Sequence, residues 1–165
     1  MTEGTADTLR DLVAEKVGDP VAAAAGACAL LRLGDLERLE LSWTRNLADW
    51  FPWLPDGAAV HGEHLARLGE HAEAARRFVE VVSRGLPVFA TAFFFAFERL
   101  QLYSLKTPTG FDRSAIEGAR RFLERFARDI DPIQPITTFP GVDPNRPSRA
   151  EESRPPKNGL GIAVA

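Results

Sequence analysis

Apolar positions recur at helical spacing along most of this 165-residue chain, and the clearest run is 55–87, PDGAAVHGEHLARLGEHAEAARRFVEVVSRGLP. Pro55 presets φ at a helix start and Asp56 is placed to cap the amides that follow. Ala58, Val60, Leu65 and Leu68 then repeat at the spacing of one helix side, and Gly69 suits a left-handed C-cap. A second helix puts Ala74, Phe78, Val81 and Val82 on one face and stops at Gly85 and Pro87. The pattern predicts an antiparallel helical hairpin.

Similar patterns flank it. Residues 5–17 predict an amphipathic helix with Leu9, Leu12, Val13 and Val17 on one side, broken by Gly18-Asp19-Pro20. The next helix, 21–33, is alanine-rich and built for close packing; Gly34 ends it. Its predicted partner, 35–51, carries a wide apolar stripe of Leu36, Leu39, Trp43, Leu47, Trp50 and Phe51. Leu30-Leu31-Arg32-Leu33-Gly34 aligns with Leu65-Ala66-Arg67-Leu68-Gly69 at a period of about 35, and Pro20 aligns with Pro55. A third, degenerate unit begins at Leu86-Pro87 with the helix VFATAFFFAFERLQLYSL, and after the loop 106–112 Asp112 or Ser114 caps a last helix running to Ile130. Its core face is Ile116, Ala119, Phe122, Leu123 and Phe126.

The expected architecture is all-α, about seven helices in a helical domain 1–130, followed by an irregular proline-rich tail 131–165. The tail holds seven of the twelve prolines, so it sustains no helix and is too polar to build a core. It reads as an extended or disordered segment laid over the surface, or as a docking peptide.

The first two hairpins resemble the tetratricopeptide (TPR) unit, whose signature runs W-x2-L-G-x2-Y, then A-x3-F, then P. Gly62 holds the small position, Leu65 replaces the aromatic, Ala74 and Phe78 keep the A-x3-F pair, and Pro87 falls near the expected proline; the leading aromatic is replaced by Ala58. In this reading Gly62 and Ala74 let two helices approach and Phe78 fills the gap between hairpins. The resemblance implies that the first helices of successive hairpins line a concave groove that binds a protein segment.

Composition narrows the function classes. A net charge of −3 and an isoelectric point near 5.7 argue against nucleic-acid binding. No apolar run reaches the ~20 residues needed to span a bilayer. The N-terminus lacks a secretory pattern and the one cysteine, Cys28, sits among alanines, so a cytoplasmic protein with a buried structural thiol is expected. No phosphate loop, nucleophile elbow or paired-carboxylate motif is present, so neither catalysis nor a cofactor is expected. His61, His64 and His71 lie among Glu63, Glu70 and Glu73, which suggests a metal site at first sight. Without H-E-x-x-H spacing, solvated or hairpin-bridging histidines are the expectation, and a small metal-binding protein is the third-ranked function class.

Two features point to a partner surface. Arg32, Arg67 and Arg99 occupy corresponding places near the ends of three first helices, where guanidinium forks could bind carboxylates of a protein segment. The alternative is that each pairs with an acidic neighbour such as Asp35, Glu70 or Glu98. In the helix that follows Pro87, Phe89, Phe93, Phe97 and Leu100 share one face while Phe94 and Phe95 point elsewhere, so it must be covered on several sides. Either the last and N-terminal helices wrap it, or a partner or second copy does. The expected partner-contacting residues are Arg32, Arg67, Arg99, Phe94, Phe95 and Glu63.

A second resemblance rests on LLRLGDLERL, WTRNLADWFP from Trp43, LPDGA from Leu54 and RGLPVF from Arg84. Across roughly 20–105 these are similar to the helical region attached to bacterial caspase-like peptidases. The catalytic His and Cys of such enzymes lie in a separate α/β domain, so no residue here inherits that role. The resemblance implies an accessory, regulatory or structural subunit of a bacterial peptidase-linked assembly.

Overall fold

A computed structural model describes residues 3–137. They form seven helices: α1 (Glu3–Ala14), α2 (Pro20–Leu33), α3 (Leu41–Trp50), α4 (Pro55–Arg67), α5 (His71–Arg84), α6 (Ala90–Leu105) and α7 (Arg113–Ala127). Among the described residues the one β feature is an isolated antiparallel bridge between Phe89 and Ile136. The protein is all-α.

Local chemistry sets the helix ends. The Ala22 amide donates to Asp19 at 2.9 Å and the Ser114 amide to Asp112 at 2.9 Å, which caps α2 and α7. Gly34 closes α2 at φ +74°, a left-handed conformation that disfavours any side chain. Two expected boundaries move. Helix α3 begins at Leu41 rather than at residue 35, because Asp35 accepts from the amide and guanidinium of Arg38 and closes a turn instead. Helix α7 ends at Ala127 although Ile130 beyond it remains buried.

Consecutive helices pack as neighbours, and the first helices α2, α4 and α6 also stack on one another. Helix α4 is the centre, in contact with α2, α3, α5 and α6 and buried at every position from Pro55 to Ala66. Two glycines allow this. A Cβ at Gly57 would come within 2.8 Å of the Leu47 carbonyl oxygen, and one at Gly62 within 2.9 Å of the Phe78 ring. Phe78 therefore sits over Gly62 inside the α4–α5 hairpin and also reaches the next unit, its ring 6.3 Å from that of Tyr103 on α6.

Stacking is reinforced by contacts that reach back one structural unit. Arg67 donates to the Leu31 carbonyl at the end of α2, and Arg84 donates to the Ala48 carbonyl near the end of α3 at 2.8 Å. Arg99 binds Glu63. Each partner lies 36 residues earlier, close to the sequence period. Arg67 and Arg84 thereby place cations at the C-terminal ends of α2 and α3, where the helix carbonyls carry partial negative charge.

The phenylalanine helix α6 is covered by α4, α5 and α7, while α1 packs over α2 and α3. Phe93 is fully buried, with Phe97 stacked on it at 6.0 Å and Phe94 edge-on at 5.3 Å. Phe94 and Phe95 remain half-buried. Trp50, expected in the apolar stripe of α3, is 54 % exposed. The ammonium of Lys16 sits 5.6 Å from the centre of its ring and 5.8 Å from that of Trp43.

The described beginning of the tail is ordered by backbone pairing. The Ala90 amide donates to the Pro135 carbonyl at 3.1 Å and the Thr137 amide to the Val88 carbonyl at 2.8 Å. Residues 138–165, which carry most of the tail expectation, lie outside the described residues.

Candidate interaction groove

The site is built from the polar side chains of α4, the most buried helix. Asp56 was expected to cap its own helix; it reaches instead to the entry of α6, accepting the Val88 and Phe89 amides at 2.9 Å each. Those amides precede α6, where they have no helical partner, so one buried carboxylate fixes where α6 starts. Burial pushes its pKa up to about 6 against the opposing pull of these bonds.

His61 and His64, one turn apart, both face Thr44 on α3. The Thr44 hydroxyl oxygen lies 3.0 Å from His61 Nδ1, 3.3 Å from His64 Nδ1 and 3.1 Å from the Leu41 carbonyl oxygen. A hydroxyl has one proton, so at least one imidazole must donate to it. Burial lowers both histidines, His61 to about 4, which keeps them neutral. His71 stands apart, its Nδ1 3.1 Å from the Tyr103 hydroxyl. Among the described residues no group of three or more His, Cys, Asp or Glu side chains converges as a metal would require. Cys28 is buried, and burial pushes its thiol well up.

Glu63 carries this interior outwards. Its side chain is 4 % exposed, yet it accepts from Arg67 Nε at 2.7 Å, Arg99 Nε at 2.8 Å and Arg99 Nη2 at 3.0 Å. The Arg99 fork is bidentate, the geometry a carboxylate binds best. Two of the three ladder arginines thus converge on one acid. It is Glu63, and not the sequence neighbours Asp35, Glu70 or Glu98. Arg32 differs, donating to the Thr91 hydroxyl at 3.3 Å while staying exposed.

All six residues singled out in the sequence meet in one trough. A cavity of about 370 Å³ is lined by Arg32, Thr91, Phe94, Phe95, Glu98 and Pro132. A second, about 360 Å³, is lined by Glu63, Arg67, Phe95, Glu98, Arg99 and Leu102. They share Phe95 and Glu98. Beyond Arg99 and Leu102 opens a third cavity of about 610 Å³, framed by His71, Tyr103 and Lys106. The residues α6 contributes, from Thr91 to Tyr103, recur every three or four positions and so form one face of the helix, which Lys106 continues. The Arg67 guanidinium lies 5.9 Å from the Phe95 ring centre, so the trough offers aromatic surface beside fixed charge.

Sequence reasoning did not select Glu98, Leu102, Tyr103 or Lys106. The three-four spacing from Thr91 carried a signal for them. The pairing of His71 with Tyr103, 32 residues apart, left none.

Comparison with known proteins places the fold in a family. Residues 1–162 match the Y4kD C-terminal domain, and the chain belongs to that family. It is also similar to a probable protease from a Desulfuromonadales bacterium, 29 % identical over 99 residues. That match covers 60 % of this chain but 12 % of the relative. No solved structure matches significantly. Among the described residues no helix is long and apolar enough to cross a membrane.

Proposed function

We propose that this protein is a non-catalytic, TPR-like interaction module that holds an extended protein segment in the trough along α6. The observation that supports this best is the convergence of Arg32, Arg67, Arg99, Glu63, Phe94 and Phe95 on adjoining cavities. Guanidiniums fixed by Glu63 beside half-buried rings supply polar donors and apolar contact area together, the combination that carries binding energy in protein interfaces. Glu63 holds Arg67 and Arg99 in place, leaving Arg32 and Glu98 as the adaptable charges at the trough's edge. A cytoplasmic location fits this role.

The test is selection of a displayed peptide library on the purified protein, followed by titration of the best peptide against Arg32→Glu. Arg32 is exposed, so reversal leaves the core intact. Loss of about tenfold or more in affinity supports the trough; unchanged affinity sinks it.

A second reading draws on the relative. A match covering a small fraction of a probable protease favours a recruiting or regulatory helical module in a peptidase-linked bacterial assembly. Under that reading the segment held in the trough belongs to a peptidase or to one of its substrates.

A further inference from the structure

The turn between α3 and α4 carries an aromatic surface that the trough does not use. Phe51, Pro52, Trp53 and Leu54 form a tight turn, closed by the Leu54 amide donating to the Phe51 carbonyl at 2.9 Å. Leu54 turns inwards to pack with Leu47. Trp50 and Trp53, 54 % and 60 % exposed, flank half-buried Phe51 in sequence, and the Trp53 ring meets that of Phe51 edge-on at 6.4 Å. The ammonium of Lys16 holds the Trp50 ring at 5.6 Å. Neither indole N–H has a hydrogen-bond partner among the described residues. Flat exposed rings with free N–H donors suit a polyproline helix. Proline rings lie against the indole faces, and backbone carbonyls that no internal amide uses accept from the N–H groups.

The path of the chain brings one such segment to this surface. The bridge of Phe89 with Ile136 is antiparallel, so beyond Thr137 the chain is directed back along Pro87 towards Arg84. That direction leads away from Thr91 and Phe94 in the trough. The Thr137 hydroxyl already donates to the Pro87 carbonyl at 2.7 Å. Residues 84–89 border the aromatic turn: Phe89 packs with Leu54 and Phe51, and Arg84 reaches the Phe51 and Leu54 carbonyls at 3.5 Å each. The sequence from Thr138 reads TFPGVDPNRP, in which Pro144 and Pro147 have P-x-x-P spacing. A polyproline helix has three residues per turn, so both prolines fall on one edge of it. Pro144 comes seven residues after Thr137, a reach of about 23 Å when extended.

We propose that the surface of Trp50, Phe51 and Trp53 is a docking site for the chain's own proline-rich segment 140–147, with Pro144 and Pro147 against the two indoles. The site is separate from the trough and does not depend on what the trough binds.

The test places a nitroxide on Ser148→Cys of the full, isotopically labelled chain and reads the loss of amide and indole NMR signals. Cys28 is buried and stays unmodified. The indole N–H signals of Trp50 and Trp53 are expected to lose most of their intensity, while the amides of residues 94–102 along the trough keep theirs. Pro144→Ala combined with Pro147→Ala, beyond the last helix, restores both indole signals. Trp53→Ala, at an exposed position, restores that of Trp50. No loss at either indole, loss along the trough instead, or a loss unchanged in either variant overturns the site. A mixture of nitroxide-bearing unlabelled protein with labelled protein free of nitroxide identifies the occupant. Full intensity in the mixture supports docking within one chain; loss at the indoles there shows a second copy's segment and overturns that assignment.

Discussion

The Glu63 carboxylate takes both Nε and Nη2 of Arg99, at 2.8 and 3.0 Å, across the boundary between two helical hairpins. One turn along its own helix Arg67 donates to the same group and to the Leu31 carbonyl in the last turn of α2. A single buried acid thereby ties α2, α4 and α6 into register and sets the floor of the trough. Glu63→Gln leaves two guanidiniums facing each other without an acid. We expect a loss of about 2–4 kcal/mol in stability, read from the shift in urea midpoint at constant slope.

The glycines of α4 separate two kinds of close approach. At Gly57 an added methyl meets backbone, which cannot yield; at Gly62 it meets the edge of an aromatic ring. Gly57→Ala should therefore cost more than Gly62→Ala, with both falling at about 1–3 kcal/mol. Thermal melting of the two variants checks the order.

Arg84 reaches back to the Ala48 carbonyl and also pairs with Glu80. Arg84→Ala leaves carbonyls of the last α3 turn without that donor and should cost about 1–2 kcal/mol. Arg84→Lys, which cannot reproduce the fork, should recover only part of it. Amide exchange in α3 reports the local opening.

Asp56 and His61 pull stability in opposite directions with pH. Asp56 rises from 3.8 to about 6 on folding, so its contribution is full below pH 3.8 and is lost as pH climbs towards 6. His61 falls from 6.5 to about 4, so its contribution is full above pH 6.5 and is lost as pH drops through 4. Each displacement corresponds to roughly 3 kcal/mol, and over pH 4–6 the two offset. Asp56→Asn should make stability rise more steeply with pH across that window, and His61→Gln should make it fall. Denaturation midpoints measured from pH 4 to 7 test both signs.

Much of this was readable in the chain. Helical periodicity, Gly34 and Gly69 gave the hairpins, and the recurring Arg32, Arg67 and Arg99 line two adjoining cavities. What the residues could not reveal was burial. Helix α4 reads as moderately polar, with Asp56, His61, Glu63 and His64 among its residues, yet it lies at the centre of the molecule. Each of those groups is satisfied by a partner at least 17 residues away, Val88, Thr44 or Arg99, and pattern along one strand of sequence does not encode such pairings. Trp50 shows the converse: it falls on an apolar stripe but ends at the surface, beside Lys16.

The most direct test of the trough is site-specific photo-crosslinking in the native host. A benzoylphenylalanine at exposed Glu98, where two cavities meet, is compared with one at Arg76 on α5, outside the trough lining. The account predicts one discrete protein adduct from position 98, lost on Arg32→Glu, and none like it from position 76. The same adducts from both positions, or none from position 98, would contradict it.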